Sequence, residues 1–399
     1  MIPKLDSDIG IFVYSTKFKG VGGKIKSSPE DFVVSEILDE KALSKFSKIE
    51  GYAVYRLKKH GIDTNHALSE IFKIHGLRLK ALGLKDANAT TEQFVCSMSM
   101  SENVRNFSTN RYSLEFLGCV PKPLTKKDMI GNHFKIKIED ASFSEISNFN
   151  EYERVLNFFG YQRFGSKRPV SHLIGKAILQ NDFERAISLL LSFSSEYDLP
   201  ENTRIRKMLE DKSNYAEVLN EVPSQMDIER VVLSEMIEHG DPLKAMRSIP
   251  LTIRRFFVQA FQSYIFNRTI STAFEYGDEL FLPKPDDVCY DKKNILGRFE
   301  NDPNQRLAIP FVGYSYSKKN RFDYQISKVL EDEQIHAKDF FSKTMQEVSD
   351  EGGFRQVTIK CENFSVSEPT VSFTLSRGSY ATILLREIMK PQDPIKAGF

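Results

Sequence analysis

The sequence predicts a mixed helix-and-sheet protein in which a sheet-bearing unit is interrupted by a mostly helical one. Three observations carry this. The 399 residues exceed the roughly 100–200 usual for one domain. Strand and helix signals alternate over the first ~180 residues, and strand patterning returns near the C-terminus after a helical middle. An apolar content of 41% with 31 Phe and 15 Tyr is enough to build a core and argues against disorder. The 55 Lys plus Arg nearly balance 54 Asp plus Glu, so no charged tail sets the choice of partner.

Taken in order, Phe32 to Ile37 and Tyr52 to Leu57 have strand composition, and Phe134 to Ile138 alternates apolar residues with lysine. Thr64 reads as the cap of a helix whose Ala67, Leu68, Ile71 and Phe72 fall at helical spacing, with Gly76 ending it. That helix is expected to cover one face of a sheet. From about Phe183 to Gly353 the texture is helical, notably Leu251 to Tyr276 and the charged stretch Tyr324 to Gln346, with few strands between. Alternation then resumes at Val357, Ile359 and Cys361 and again at Val371, Phe373 and Leu375. Ser379 is placed to cap a last helix with an apolar stripe of Tyr380, Ala381, Leu384, Leu385 and Ile388, closed by Pro391. The tail is therefore expected to complete the first sheet, which makes the middle an insertion.

Several function classes lose support. Cys96, Cys119, Cys289 and Cys361 are far apart with no C-x-x-C pair, which suits a reducing, intracellular setting. The seven histidines are scattered without metal-ligand spacing. No apolar run approaches ~18 residues and the N-terminus carries acids, so neither a membrane span nor a signal peptide is expected. A soluble, cytoplasmic protein is the expectation.

Three stretches hold the chemistry. Gly83 to Gln93 leaves one strand-like run, turns, and enters another. A carboxylate at the head of such a turn, Asp86, is held by rigid backbone and can be aimed with little reorganisation. Asp86 and Asn88 are also ordinary turn formers, which is the plainer reading of the turn by itself. Asn157 to Arg168 interleaves aromatics, glycines and cations. Arg154, Arg163, Lys167, Arg168 and Lys176 stand without an acid between residues 154 and 181, a local +5 suited to phosphates, with rings able to stack on bases. Phe158, Phe159 and Phe164 are equally at home in a core. Lys17 to Lys26 holds four lysines and no acid, but its glycines match neither a P-loop nor a dinucleotide fingerprint.

Together these residues resemble the TruD family of tRNA pseudouridine synthases. The resemblance rests on Gly83-x-Lys-Asp86-x-x-Ala89-x-Thr91-x-Gln93, Asn157-x-Phe-Gly-x-Gln-Arg-Phe-Gly165, Lys26-x-x-Pro-Glu-Asp-Phe32 and the tail Gly378 to Thr382 with Leu385-Arg-Glu387. It covers the chain end to end, and Arg168-Pro-Val-Ser-His172 with Ile174-Gly-Lys176 is similar to the archaeal and eukaryotic branch. The resemblance implies an α+β pseudouridine synthase fold with a central mixed, largely antiparallel sheet. Residues 1–183 and 355–399 would form the catalytic domain, and residues 184–354 a mostly helical inserted domain. It implies isomerisation of uridine to pseudouridine, with the N1 to C1′ bond broken and a C5 to C1′ bond made, so no cofactor and no metal.

By that resemblance Asp86 is the catalytic aspartate, acting on C1′ or on uracil C6, and Lys26 the basic partner that keeps it ionised. Phe159 would stack on the flipped uracil and Asn157 would hydrogen-bond the base edge or Asp86. Lys85, Gln93, Arg163, Lys167, Arg168 and Lys176 are the expected RNA contacts, with bracing of the turn open as the other role of Lys85 and Gln93, and with the insert as the opposite wall of an RNA cleft. The partner is tRNA, with uridine 13 as the implied target in a loop or irregular junction. Oligomeric state is not legible, a monomer being the default. Two other readings stay open from the residues: a non-catalytic tRNA-binding or RNA-folding module, and a glycosidase whose second acid would be one of Glu36, Glu92 or Glu362.

Overall fold

The computed structural model describes residues 1–47, 50–85, 87–100 and 105–399, so Asp86 lies outside the described residues. Packing divides the chain into two compact units. A sheet unit comprises residues 16–155 and 359–398, and a helical unit comprises residues 1–15, 156–358 and 399. Packing thus draws its lines at 15/16, 155/156, 358/359 and 398/399, and residues 1–15, 156–183, 355–358 and 399 fold with the helices.

The sheet unit is built on β1 (Phe32–Leu38), β2 (Tyr52–Lys59), β3 (Leu79–Ala81), β4 (Thr90–Ser97), β5 (Phe107–Ser108), β6 (Tyr112–Val120), β7 (Met129–Lys137), β8 (Glu362–Ser367) and β9 (Thr370–Ser376). These nine strands run in the order β8-β9-β7-β1-β4-β2-β6-β5, with β3 also on β4. Among the described residues of this sheet only the β1–β4 pair is parallel, the mixed, mostly antiparallel α+β sheet that was expected. The tail does complete the sheet: β9 lies on β7 with Phe373 opposite Phe134, their rings stacked at 5.4 Å.

Helix α1 (Thr64–His75) lays Ala67 and Ile71 on Ala53, Tyr55 and Leu57 of β2, Val95 of β4 and Leu114 of β6. Its N-cap is Asp63, whose carboxylate accepts from the N–H groups of Asn65 and His66, and Gly76 closes it in the left-handed region. Thr64, the expected cap, turns its hydroxyl elsewhere, as described below.

The labels α2 (Ser171–Leu179), α3 (Leu251–Glu275) and α4 (Ala381–Met389) denote the other helices that matter here. In α4, of the sheet unit, every residue is buried, including Arg386 and Glu387, so the expected single stripe understates its burial. Ser379 does not cap it; Tyr380 holds the N-cap position without a side-chain bond.

In the helical unit α2 crosses α3 so closely that a Cβ on Gly175 would lie 2.0 Å from the Phe257 carbonyl oxygen. Two expectations are corrected. The charged stretch forms an α-helix only over Asp323–Asp332, with a short 3-10 turn at Ala337–Phe340. Gln334 then turns left-handed at φ +54°, and Ile335 donates its N–H to the Leu330 carbonyl while burying its side chain, a Schellman ending. The middle also carries an antiparallel four-stranded sheet of Leu296–Arg298, Val288–Tyr290, Arg306–Phe311 and Gly353–Gln356. Its strands are short and one contains Pro310, so alternation over them is too brief to read. Among the described residues no helix is long and apolar enough to cross a membrane, and no group of three or more His, Cys, Asp or Glu side chains could hold a metal ion.

Candidate functional site

The turn between β3 and β4 carries the first motif, and its described residues are clamped from several sides. The Lys85 carbonyl accepts from the Lys59 ammonium at 3.3 Å and from the Thr64 N–H at 3.2 Å, with Thr64 Oγ1 also 3.2 Å away, while the Lys85 N–H donates to Thr64 Oγ1 at 2.9 Å. This is the use of Thr64 that replaces capping. Gln93, wholly buried, accepts from the Thr64 hydroxyl at 3.0 Å and donates to the Gly83 carbonyl at 3.1 Å. The residue immediately before Asp86 is therefore fixed to β2 through Lys59 and to the first residue of α1.

The Lys85 side chain points into the sheet. Its ammonium lies 3.1 Å from Glu36 Oε1 on β1 and donates to Asn132 Oδ1 on β7 at 2.9 Å. Glu36 and Asn132 face each other across the β1–β7 pair, which is why one lysine reaches both. The Glu36 side chain is 0% exposed, and its other oxygen accepts the Phe94 N–H at 2.8 Å. Burial pushes the Glu36 carboxyl above its ordinary range, against the pull of Lys85 and of that N–H. Gly83 is needed for room, since a Cβ there would meet Glu36 Oε1 at 2.9 Å and Lys85 Nζ at 3.1 Å. Lys85 and Gln93 thus brace the turn, one of the two roles open to them from the sequence.

Lys26 also belongs to the sheet unit. The segment before it is tied down along its length: Thr16 donates N–H and hydroxyl to Glu387 Oε2 at 3.1 and 2.9 Å, and the Val21 and Gly22 N–H groups bond the last carbonyls of α4. Gly20, at φ +89°, allows an approach in which its Cβ would lie 2.8 Å from that of Lys390. Gly20 and Gly23 therefore serve close packing, a Cβ on Gly23 lying 2.5 Å from the Glu139 carbonyl oxygen. Lys26 itself is a non-glycine residue at φ +58°, with its ammonium 4.8 Å from the Phe32 ring centre. Such backbone strain persists where surroundings over-determine it, often at functional sites.

In the helical unit the structure brings together Asn157, Phe159 and Arg163. Phe158 and Phe164 are core residues at 0% exposure, and Phe159 is 5% exposed, packed on Phe266 and Phe311. The Phe159 backbone is held at both ends by buried Asn267 of α3, which accepts its N–H at 2.8 Å and donates to its carbonyl at 3.1 Å. Arg163 lies over the Phe159 ring at 5.4 Å, and Arg355 over it at 3.8 Å. Neither Asn267 nor Arg355 belongs to any motif, and their distance in sequence from Phe159 leaves no spacing by which to find them.

The remaining cations of the patch separate. Lys167 is exposed. Arg168 turns inward, donating to Glu229 at 3.1 Å and to the Leu190 carbonyl at 2.7 Å. Lys176 bonds Glu333 at 2.7 Å, and Glu333 also takes Arg268 at 2.7 Å and the Tyr264 hydroxyl at 3.1 Å. Burial opposes the charge on Glu333, yet these donors hold its carboxyl below the ordinary range. Arg168 and Lys176 thus direct these hydrogen bonds into the protein.

Comparison with known proteins agrees with this architecture. A family profile of tRNA pseudouridine synthase D (TruD) matches residues 8–388. A probable tRNA pseudouridine synthase D of Pyrobaculum islandicum is 31% identical over 418 aligned residues, covering 100% of this chain and 99% of the relative. One of Archaeoglobus fulgidus is 31% identical over 415, covering 97% of this chain and 100% of the relative. The crystal structure of a Methanosarcina mazei protein assigned as tRNA pseudouridine synthase D superposes with a TM-score of 0.79 at 26% identity, covering 99% of both chains. Fold and motifs together define an isomerase of the pseudouridine synthase class. More narrowly, the chain belongs to the TruD family of tRNA pseudouridine synthases.

Proposed function

We propose that the protein isomerises uridine 13 in the D arm of tRNA to pseudouridine by an Asp86-dependent mechanism without cofactor. The target base is extruded from its stack, a step least costly for a loop or junction uridine. Ionised Asp86 acts on its C1′ or C6, Lys26 favours the charged carboxylate, Phe159 stacks on the uracil, and Asn157 hydrogen-bonds the base edge or Asp86. Exposed Lys167 and the Arg163 guanidinium contribute phosphate contacts. Residues 184–354 are read as the family's inserted domain and the enzyme as cytoplasmic.

The observation that supports this reading most is the clamp on Lys85. Donors from Lys59 and Thr64 on one carbonyl and a buried ion pair at the other end of the same residue are far more than a solvated turn needs, and they restrict the backbone of Lys85. The test is to incubate the protein with an unmodified tRNA transcript and map pseudouridine by chemical-adduct primer extension. Wild type is expected to modify position 13, and Asp86→Asn to form none while keeping its tRNA affinity. A wild type that binds tRNA and forms no pseudouridine would leave a binding module instead.

A further inference from the structure

Phe159 differs from its neighbours in one respect. Phe158 and Phe164 are enclosed by core, whereas Phe159 carries two guanidinium groups over its ring, with Arg355 the nearer at 3.8 Å from the centroid. A phenylalanine that only fills a core has no use for a cation there, since a desolvated guanidinium must be held by other bonds. Arg355 has them. Its Nη2 donates to Asn157 Oδ1 at 2.9 Å, and Nε and Nη2 both reach the Asn157 backbone oxygen at 3.4 Å. The other end of the same carboxamide, Asn157 Nδ2, donates to the carbonyl of Gln356, the next residue along the Arg355 strand. The Asn157 N–H donates to the Val357 carbonyl at 2.7 Å.

We propose that Arg355 is a positioning residue for the isomerisation, which fixes the orientation of the Asn157 carboxamide and the plane of the Phe159 ring at the same time. The inference rests on the roles of Asn157 and Phe159 proposed above. The planar fork is what makes the double task possible: it lies over the ring and donates in its own plane to the amide oxygen. A lysine ammonium offers one donor cluster and no flat face. With Arg355 donating to Oδ1, an amide flip would set the Asn157 NH2 against a guanidinium, so one orientation is selected. Arg355 is 198 residues from Asn157 in the chain, and the strand Gly353–Gln356 places it there by pairing Arg355 with Ile309.

The experiment compares wild type, Arg355→Ala and Arg355→Lys by single-turnover pseudouridine formation and by tRNA affinity, with thermal melting to establish that each is folded. Arg355→Ala is expected to lower the single-turnover rate by about 10- to 100-fold, the effect of a small misplacement of reacting groups. Its tRNA Kd should stay within about threefold of wild type. Arg355→Lys should remain well below wild type, and added methylguanidinium should restore rate to Arg355→Ala without changing its melting temperature. A rate for Arg355→Ala within about twofold of wild type, or a Kd weakened by the same factor as the rate, overturns the proposal. If Arg355→Ala does not melt cooperatively, the same rate-against-Kd split in Arg355→Lys decides. Failure of the wild type itself to form pseudouridine is a separate outcome, which removes the catalytic reading and this inference with it.

Discussion

Replacing Lys85 by methionine isolates the buried ion pair that anchors the motif turn. Methionine keeps an unbranched apolar stem and removes the ammonium. Glu36 then retains the Phe94 N–H but loses the charge 3.1 Å from its Oε1. Exposed pairs such as Lys58–Glu92, with side chains 50% and 36% exposed, contribute at most about 1 kcal/mol. The Lys85 and Glu36 side chains are only 12% and 0% exposed, which places the pair in the regime where removing one partner costs about 3–5 kcal/mol. The lower end applies because Lys85 keeps some contact with water.

The loss should depend on pH with a definite sign. Burial already raises the Glu36 carboxyl, and without Lys85 it rises further, so the folded variant holds a proton to higher pH than the unfolded chain does. Above the unfolded value, near ~4.3, the variant loses stability as pH increases, by up to about 1.4 kcal/mol per unit, until the folded pKa is passed. Wild type shows the same sign over a narrower window. Urea unfolding at about pH 5 and about pH 8 should therefore show a gap between the two proteins that widens with pH, and adding Glu36→Gln should recover most of the loss. A gap below about 1 kcal/mol, or one equal at both pH values, would refute the buried-pair account.

Three further outcomes are expected. His172, stacked on Tyr264 at 5.0 Å, has its pKa pushed down by burial from 6.5 to about 4. The unfolded chain therefore takes up a proton first as pH falls through that window, and up to about 3 kcal/mol of stability is lost. His172→Phe should flatten this slope in urea midpoints, and an unchanged slope would show that the imidazole is not the group responsible. Gly175→Ala puts a methyl against the Phe257 carbonyl and should cost about 3 kcal/mol or more by forcing α2 from α3; a melting temperature equal to wild type would contradict that approach. Lys167→Ala should reduce the slope of log Kd for tRNA against log salt by about 0.7–0.9, whereas Arg168→Ala should lower stability and leave the slope alone. A salt-slope change from Arg168 without loss of stability would mean that its guanidinium reaches phosphate.

How much of this was legible in the chain follows from the range over which each constraint acts. Period-two alternation at Phe134 to Ile138 and at Val371 to Leu375 reports local burial on one face, so the strands and the return of the tail to the first sheet could be read. The left-handed Gly76 and the length of α3 were legible for the same reason. The aspartate turn and the aromatic-basic run stood out as composition, and the resemblance to the family attached roles to them.

Cap assignment, the inward pairing of Arg168 and Lys176, and the bracing by Lys85 and Gln93 were decided only in three dimensions. Charge and side-chain length are visible in a sequence, but whether an ammonium meets water or a buried carboxylate depends on which strand lies alongside. Glu36 meets Lys85 because β1, β7 and the turn after β3 converge, and Arg355 meets Asn157 because a strand late in the chain returns beside it. The short-range pattern determined which segments are helix or strand and which carry the chemistry. Long-range pairing, which no local period encodes, determined which charges face one another.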